Sequence, residues 1–202
     1  MQIRDCVGAI LSGGKGRRMG ASKADLVMAD GQTMLAHTMA PLREVCGRIV
    51  IVGGPAGACR GCYDDVTHLA DRRPGGGPLG GVETLLASGL ANGYLVAACD
   101  QPLLTPEILR LLMEGDPDLP HFFRQREQDR LDPFPGYFPA SLCVAAERAR
   151  AGGISSMHGF IAGISAVWIP LPDALRHHLQ SVNTPAAFAQ INGAASDGEV
   201  GE

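Results

Sequence analysis

The sequence predicts an α/β fold with a mainly parallel central sheet, and three observations carry that expectation. Short apolar runs alternate with amphipathic stretches through the first half of the chain, as successive βα units require. Two of those runs end directly in glycine-rich turns, Leu11-Ser12-Gly13-Gly14 and Val52-Gly53-Gly54. A third, Leu95 to Cys99, ends in Asp100, so a buried strand delivers a carboxylate to the rim of the sheet.

The elements follow in order. Val7 to Leu11 reads as a buried first strand entering a tight loop. Gln32 to Val45 has helical spacing at Met34, Leu35, Thr38, Met39 and Leu42, and Arg48 to Val52 is a second β-rich run. A third strand is expected near Val66 to Ala70, a helix over Leu79 to Leu90, and a central strand over Tyr94 to Cys99. Thr105-Pro106-Glu107 opens a helix with a threonine cap and proline in its first turn, and Gly115-Asp116-Pro117 closes it after Glu114. His121 to Gln125 and Pro133 to Phe138 are expected to pair across the charged turn Arg126 to Asp132, followed by a helix over Pro139 to Ala151. Ala166 to Ile169 reads as the last strand and Thr184 to Ile191 as the last helix. The expected organisation is one domain over residues 1–192, with residues 193–202 a disordered tail.

Composition narrows the function. With 202 residues and 46% hydrophobic content the chain can bury a substantial core. A net charge of -4 from 17 basic and 21 acidic residues provides no broad cationic face for a phosphate backbone, so no nucleic-acid partner is expected. No apolar run approaches the length of a membrane span, and the first residues lack a signal-peptide layout, so a cytoplasmic protein with no membrane partner is expected. The six cysteines are scattered through apolar segments as small hydrophobes. Cys59-Arg-Gly-Cys62 lacks the second pair or spaced histidines that a zinc site needs, and reads as two loop thiols. His177-His178, His37 and His68 read as surface or satisfied histidines.

Chemistry concentrates in three places. In Leu11-Ser-Gly-Gly-Lys-Gly-Arg-Arg-Met-Gly20 four glycines let backbone N–H groups turn toward an anion, and Lys15, Arg17, Arg18 and Lys23 add positive charge, which makes a triphosphate cradle. The loop is neither a Walker loop nor a dinucleotide fingerprint, and no acidic residue ends the second strand, which argues against an NAD-dependent oxidoreductase. Lys15 and Lys23 are the two lysines among 17 basic residues, and both fall in this segment, where a compact ammonium suits a phosphate better than a guanidinium fork. Asp100 is placed to hold Mg²⁺, with phosphates and water filling the other positions. The stretch Asp71 to Gly81 offers backbone groups for a base pocket, including Pro78 and Leu79, with Asp71 near the ribose or the metal.

In this order and spacing the loop, the lysine after it, Gly77-Pro78-Leu79-Gly80-Gly81, Asp100-Gln101-Pro102 and Val182-Asn183-Thr184-Pro185 resemble the molybdenum cofactor guanylyltransferase family, from residue 7 to about 191. The resemblance implies a Rossmann-like three-layer α/β/α fold. It implies that Leu11, Ser12, Gly13 and Gly14 contact the nucleotide, Lys23 its phosphates, and Asp71 and Asp100 the bound GTP, with Asp100 also on Mg²⁺. It further implies a catalytic set of Lys23, Asp100 and Arg18, with Asn183 on the acceptor side. The implied reaction transfers GMP from GTP to the terminal phosphate of molybdopterin or the molybdenum cofactor, releasing pyrophosphate. Three departures concern the rest of the site: Val52 stands where some family members place a polar residue near the base, Asp132-Pro133 replaces a His-Pro pair, and Ser155-Ser156 replaces basic residues. Transfer from CTP, transfer to another phosphorylated small molecule, and a nucleotide-binding regulator without transferase activity remain the alternatives.

Overall fold

Burial on both faces of the first strand dictates the layering. In the computed structural model, which describes residues 6–12, 23–53, 63, 65–125 and 130–196, strand β1 (Cys6–Leu11) is buried at every position. A strand of that kind must be covered on both sides. Cys6 and Ile10 pack into one core cluster with Leu35, Met39 and Leu42 of α1 (Met34–Val45) and with Ile108 and Leu109 of α3 (Pro106–Leu111). Val7, Ala9 and Leu11 pack into the other with Leu79, Val82 and Leu85 of α2 (Gly77–Leu86), Ala146 of α4 (Cys143–Ala151) and Met157, Phe160 and Ile161 of α5 (Met157–Ile161). The alternation of period two along β1 therefore sorts its side chains into the two helical layers of an α/β/α sandwich.

The sheet contains β1, β2 (Ile49–Val52), β3 (Thr67–Leu69), β4 (Gly93–Ala98), β5 (His121–Gln125), β6 (Arg130–Pro139) and β7 (Val167–Pro170) in the order β3-β2-β1-β4-β6-β5-β7. β1 pairs in parallel with β2 through Ala9 and Val50 and with β4 through Ala9 and Val96. β6 runs against β4 and β5, and the remaining pairs are parallel, so the sheet is mainly parallel as expected. Thr33 caps α1 by accepting from the Ala36 N–H at 3.2 Å, and Thr105 caps α3 as its position before Pro106 predicts. Gly81 lets α2 approach the sheet: a Cβ there would lie 3.1 Å from Leu11 Cδ2.

Several boundaries differ from the sequence reading. α3 ends at Leu111 rather than Glu114, because the Leu112 carbonyl turns to the buried His121 ring, 2.6 Å from Nδ1, and Gly115 passes too close to that ring for any side chain. β6 begins at Arg130, so Arg130 to Asp132 extend a strand instead of forming a turn; residues 126–129 lie outside the described residues. The last helix, α6 (Pro185–Ser196), runs through 193–196, which corrects the expectation that the tail begins at 193. Tertiary contacts carry it there: Ile191 and Phe188 pack with Met28, Met34 and Val182, and Asn192 Oδ1 accepts from the Ala29 N–H at 2.6 Å. α5, capped by Ser156, and the 3-10 turn Asp173–Leu179 have no counterpart in the sequence reading, since both are too short to show a period. Among the cysteines, Cys59 and Cys62 lie outside the described residues, while Cys6, Cys46 and Cys143 are free thiols. A hydrogen bond with Cys46, together with burial, holds the Cys6 thiol far above its ordinary range, consistent with an inert hydrophobe.

One buried ion pair joins the helices of the second layer. Arg150 Nε of α4 lies 2.9 Å from Glu83 Oε2 of α2, with Glu83 only 2% exposed, and Arg73 approaches the same carboxylate at 3.9 Å. Removing one partner of such a pair strands a charge in low dielectric, whereas replacing both by apolar residues is close to neutral. Arg150→Met should therefore cost about 3 to 5 kcal/mol in urea unfolding, and Arg150→Met/Glu83→Leu should recover most of that loss. Equal destabilisation of the single and double variants would show that packing rather than charge sets the cost.

Candidate active site

The chain runs from β1 to β2 to β3 on one side and then returns to β4 on the other, so the strand order reverses between β1 and β4. Ligands of open α/β sheets bind at such a reversal, beyond the carboxyl ends of the strands. Those ends are tied together here. The Leu11 carbonyl accepts from the Cys99 N–H at 3.2 Å, the Ser12 N–H donates to the Val52 carbonyl at 2.9 Å, and the Gly53 N–H donates to the Leu69 carbonyl at 2.9 Å. Leu11 is buried as a core side chain, and Ser12 stands half-buried at the rim. Gly13, Gly14 and Arg18, with the rest of the glycine-rich loop, lie outside the described residues.

Three candidate residues from distant parts of the chain meet at this rim. Lys23, at the start of a 3-10 turn (Lys23–Asp25), donates from Nζ to Asp100 Oδ2 at 2.9 Å and to Asn183 Oδ1 at 2.6 Å. The side chains of Lys23 and Asp100 are 23% and 17% exposed, so the pair is partly desolvated yet reachable by a ligand. The Val182 N–H donates to the Asp100 carbonyl at 2.8 Å, which fixes the residue preceding Asn183 to the end of β4.

Gln101 is a part of this site that the sequence reading passed over. Its buried side chain accepts from the Ala98 N–H at 3.1 Å and donates to the Phe134 carbonyl at 2.8 Å, pinning the Asp100 turn between β4 and β6. A glutamine beside an aspartate reads as a polar loop, and the signal that it is buried exists only in the tertiary structure.

On the far side of the reversal the turn after β3 carries Asp71, half-buried, and leads to Pro78, exposed, and Leu79, buried in the core, in the first turn of α2. This turn is held from two directions. The Arg72 N–H donates to Thr84 Oγ1 at 3.0 Å, and Arg150 Nη1 donates to the Gly76 carbonyl at 2.8 Å. A Cβ on Gly76 would lie 2.7 Å from Arg150 Nη1, so a side chain there would push the guanidinium aside. Arg150 was also unforeseen; its partner Glu83, a carboxylate inside the apolar Leu79 to Leu86 stretch, was the available signal. Of the departing positions, Asp132 pairs in β6 with Phe123, and Ser156 caps α5 by accepting from the Gly159 N–H at 3.1 Å.

A doubly wound sheet with a lysine and a carboxylate at its strand-order reversal is the architecture of a nucleotide-binding α/β enzyme. A probable molybdenum cofactor guanylyltransferase of Carboxydothermus hydrogenoformans is 29% identical over 188 residues, covering 91% of this chain and 93% of the relative. One from Methanothermobacter thermautotrophicus is 40% identical over 104 residues, 50% of this chain and 53% of the relative. In fold the chain is similar to the molybdopterin-guanine dinucleotide biosynthesis protein A of Archaeoglobus fulgidus, with a TM-score of 0.78 at 22% identity, covering 95% of this chain and 99% of that one. The MobA-like NTP transferase domain matches residues 8–164, and the chain belongs to that family; it is a nucleotidyltransferase.

The electrostatics of Asp71 generate a test. Burial raises its carboxyl above the ordinary value of 3.8, and Arg150 only partly opposes this. An acid whose pKa is raised on folding destabilises the fold wherever it is ionised, and that cost vanishes once the pH falls below 3.8, where both states are protonated. Asp71→Asn should therefore raise the melting temperature at neutral pH, with a difference that shrinks as the pH is lowered into the acid range. A lower melting temperature for the variant at neutral pH would contradict this account.

Proposed function

We propose that this enzyme transfers GMP from GTP to the terminal phosphate of molybdopterin or of the molybdenum cofactor, forming a guanine dinucleotide and releasing pyrophosphate. The observation that carries the proposal is the convergence of Lys23, Asp100 and Asn183 at the β1/β4 reversal, beside the Ser12 end of the glycine-rich loop. The names of the relatives that match over most of their length support the choice of nucleotide and acceptor.

In this reaction an oxygen of the acceptor phosphate forms a bond to the α-phosphorus of GTP as the bond from that phosphorus to the bridging oxygen of pyrophosphate breaks. The nucleophile is already anionic, so no general base is required, and positioning with charge neutralisation supplies most of the rate. Lys23 brings its ammonium to the β- and γ-phosphates, and Arg18 adds a second positive charge from the loop. The loop glycines Gly13 and Gly14 offer backbone N–H groups to the phosphates, Ser12, whose own N–H is held by the Val52 carbonyl, meets the nucleotide through its hydroxyl, and Asp71 with the Pro78–Leu79 backbone lines the nucleoside side. Asn183 faces the acceptor. The Asp100 carboxylate, partly exposed at the rim of the sheet, suits Mg²⁺, which characteristically takes one or two carboxylates with phosphate and water oxygens. Held by Asp100, it would neutralise charge on the phosphates and orient the leaving group.

Thermal-shift measurements with the four nucleoside triphosphates and Mg²⁺ test the base. GTP at 100 times its dissociation constant should add about 2.7 kcal/mol of stability, more than CTP or ATP at equal concentration. A larger shift with CTP would replace guanylyl by cytidylyl transfer, and absence of pyrophosphate release with GTP and molybdopterin would leave a nucleotide-binding regulator.

Lys23→Arg tests the lysine. The ammonium fits between Asp100 and Asn183 at 2.9 and 2.6 Å, a space that a wider planar guanidinium does not match. We expect kcat to fall about 10- to 1,000-fold, roughly 1.4 to 4 kcal/mol, with a smaller change in GTP affinity. Steady-state turnover of Lys23→Ala within about twofold of the parent would remove Lys23 from the chemistry.

A further inference from the structure

An ammonium has three donors and no acceptor, so the groups that surround Lys23 Nζ must present oxygens to it. Asp100 Oδ2 does so at 2.9 Å and Asn183 at 2.6 Å, and the same rule fixes the asparagine amide with Oδ1 inward. The position of Nζ is thus a point on which one anionic and one neutral oxygen converge, carried by two segments far apart in the sequence. Those are the ligand types that a hard divalent cation accepts.

The two oxygens are positioned independently of the lysine. The Val182 N–H on the Asp100 carbonyl at 2.8 Å ties the segment carrying Asn183 to the turn carrying Asp100. Gln101 pins that turn to Ala98 and Phe134. Lys23, by contrast, reaches the site on a flexible four-carbon stem, which allows the charge to move while the oxygens stay. An ammonium and a divalent cation cannot share the position, because like charges at contact distance repel strongly in a partly buried site.

We infer that Lys23 acts as a built-in counter-ion: its ammonium holds the divalent-cation position formed by Asp100 and Asn183 until a triphosphate draws it away. Asn183 is then a cation-binding residue, with its Nδ2 turned toward the acceptor side, and cation and nucleotide enter the site together. The pull comes from the β- and γ-phosphates, which offer the ammonium more negative charge than one carboxylate does. This inference rests on the reading of Asp100 as the carboxylate that takes the cation.

The experiment is a titration of the nucleotide-free full chain with Mn²⁺, followed by the electron paramagnetic resonance of free Mn²⁺, with circular dichroism as the check on folding. Lys23→Met should bind Mn²⁺ at least about tenfold more tightly than the parent, although it has lost the phosphate-binding group. Adding Asn183→Leu to that variant should weaken binding by at least about threefold, and adding Asp100→Asn should remove it. Lys23→Gln, nearer in shape to the native side chain, should repeat the gain if the methionine variant does not fold.

Unchanged Mn²⁺ affinity in both lysine variants, or no effect of Asn183→Leu, would overturn the inference. Its failure is separable from failure of the proposed metal site. If Mn²⁺ binding to the parent with GTP still depends on Asp100, the exchange alone is wrong; if Asp100→Asn leaves that binding intact, the assignment of the cation to Asp100 falls with it.

Discussion

The parallel pairing of β1 with β4 is the constraint on which the site depends. It sets Leu11 beside Ala98, so the two chains leave the sheet side by side, one into the glycine-rich loop and the other into the Asp100 turn. The hydrogen bond from the Cys99 N–H to the Leu11 carbonyl extends that pairing one step past the strands. A parallel pair cannot be joined by a tight turn, so α1, β2, β3 and α2 must be spent on the return path. That path also carries the turn from Asp71 into the first turn of α2.

The fold was legible because its strands are buried on both faces and end in abrupt polar or glycine turns. Val7 to Leu11, Arg48 to Val52 and Tyr94 to Cys99 carry that signal at full strength, and each corresponds to an observed strand within a residue or two. The candidate site was legible to the degree that its residues sit at strand ends or in dense motifs, as Lys23 and Asp100 do, and the structure brings those two side chains together. Asn183 was accessible through resemblance alone, since nothing in Val182-Asn183-Thr184-Pro185 announces that it lies against a lysine 160 positions earlier. Gln101 and Arg150 were hidden for a different reason. Each is a polar side chain whose importance comes from being buried against carbonyls or a carboxylate of another element, and local pattern does not encode that.

The turn after β4 and the turn leading into α2 are stiffened by different means. On the β4 side the anchors are neutral hydrogen bonds, through Gln101 and the Val182 N–H. On the α2 side the anchor is charged: Arg150 spans from the Glu83 carboxylate to the Gly76 carbonyl, joining α4 to the turn that leads into α2. Because Glu83 is desolvated, this second anchor depends on both of its charges being present. At the departing positions Ser156 has a local role as a helix cap, and His158 meets the Leu131 carbonyl at 3.1 Å, so that part of the surface is organised by its own secondary structure.

The contact between α6 and the segment around Met28 has a consequence for how the protein is made. Met28 and Met34 lie early in the chain, yet they complete their apolar cluster only with Val182 and Ile191, and Ala29 receives its partner only from Asn192. During translation the sheet from β1 to β4 can assemble while the ribosome is still working, since its contacts span at most about half the chain. The Lys23 corner cannot. The nascent polypeptide must hold a nearly finished scaffold with an unclosed corner until α6 emerges, so a product truncated between β7 and α6 would carry all seven strands and lack the contacts that close that corner.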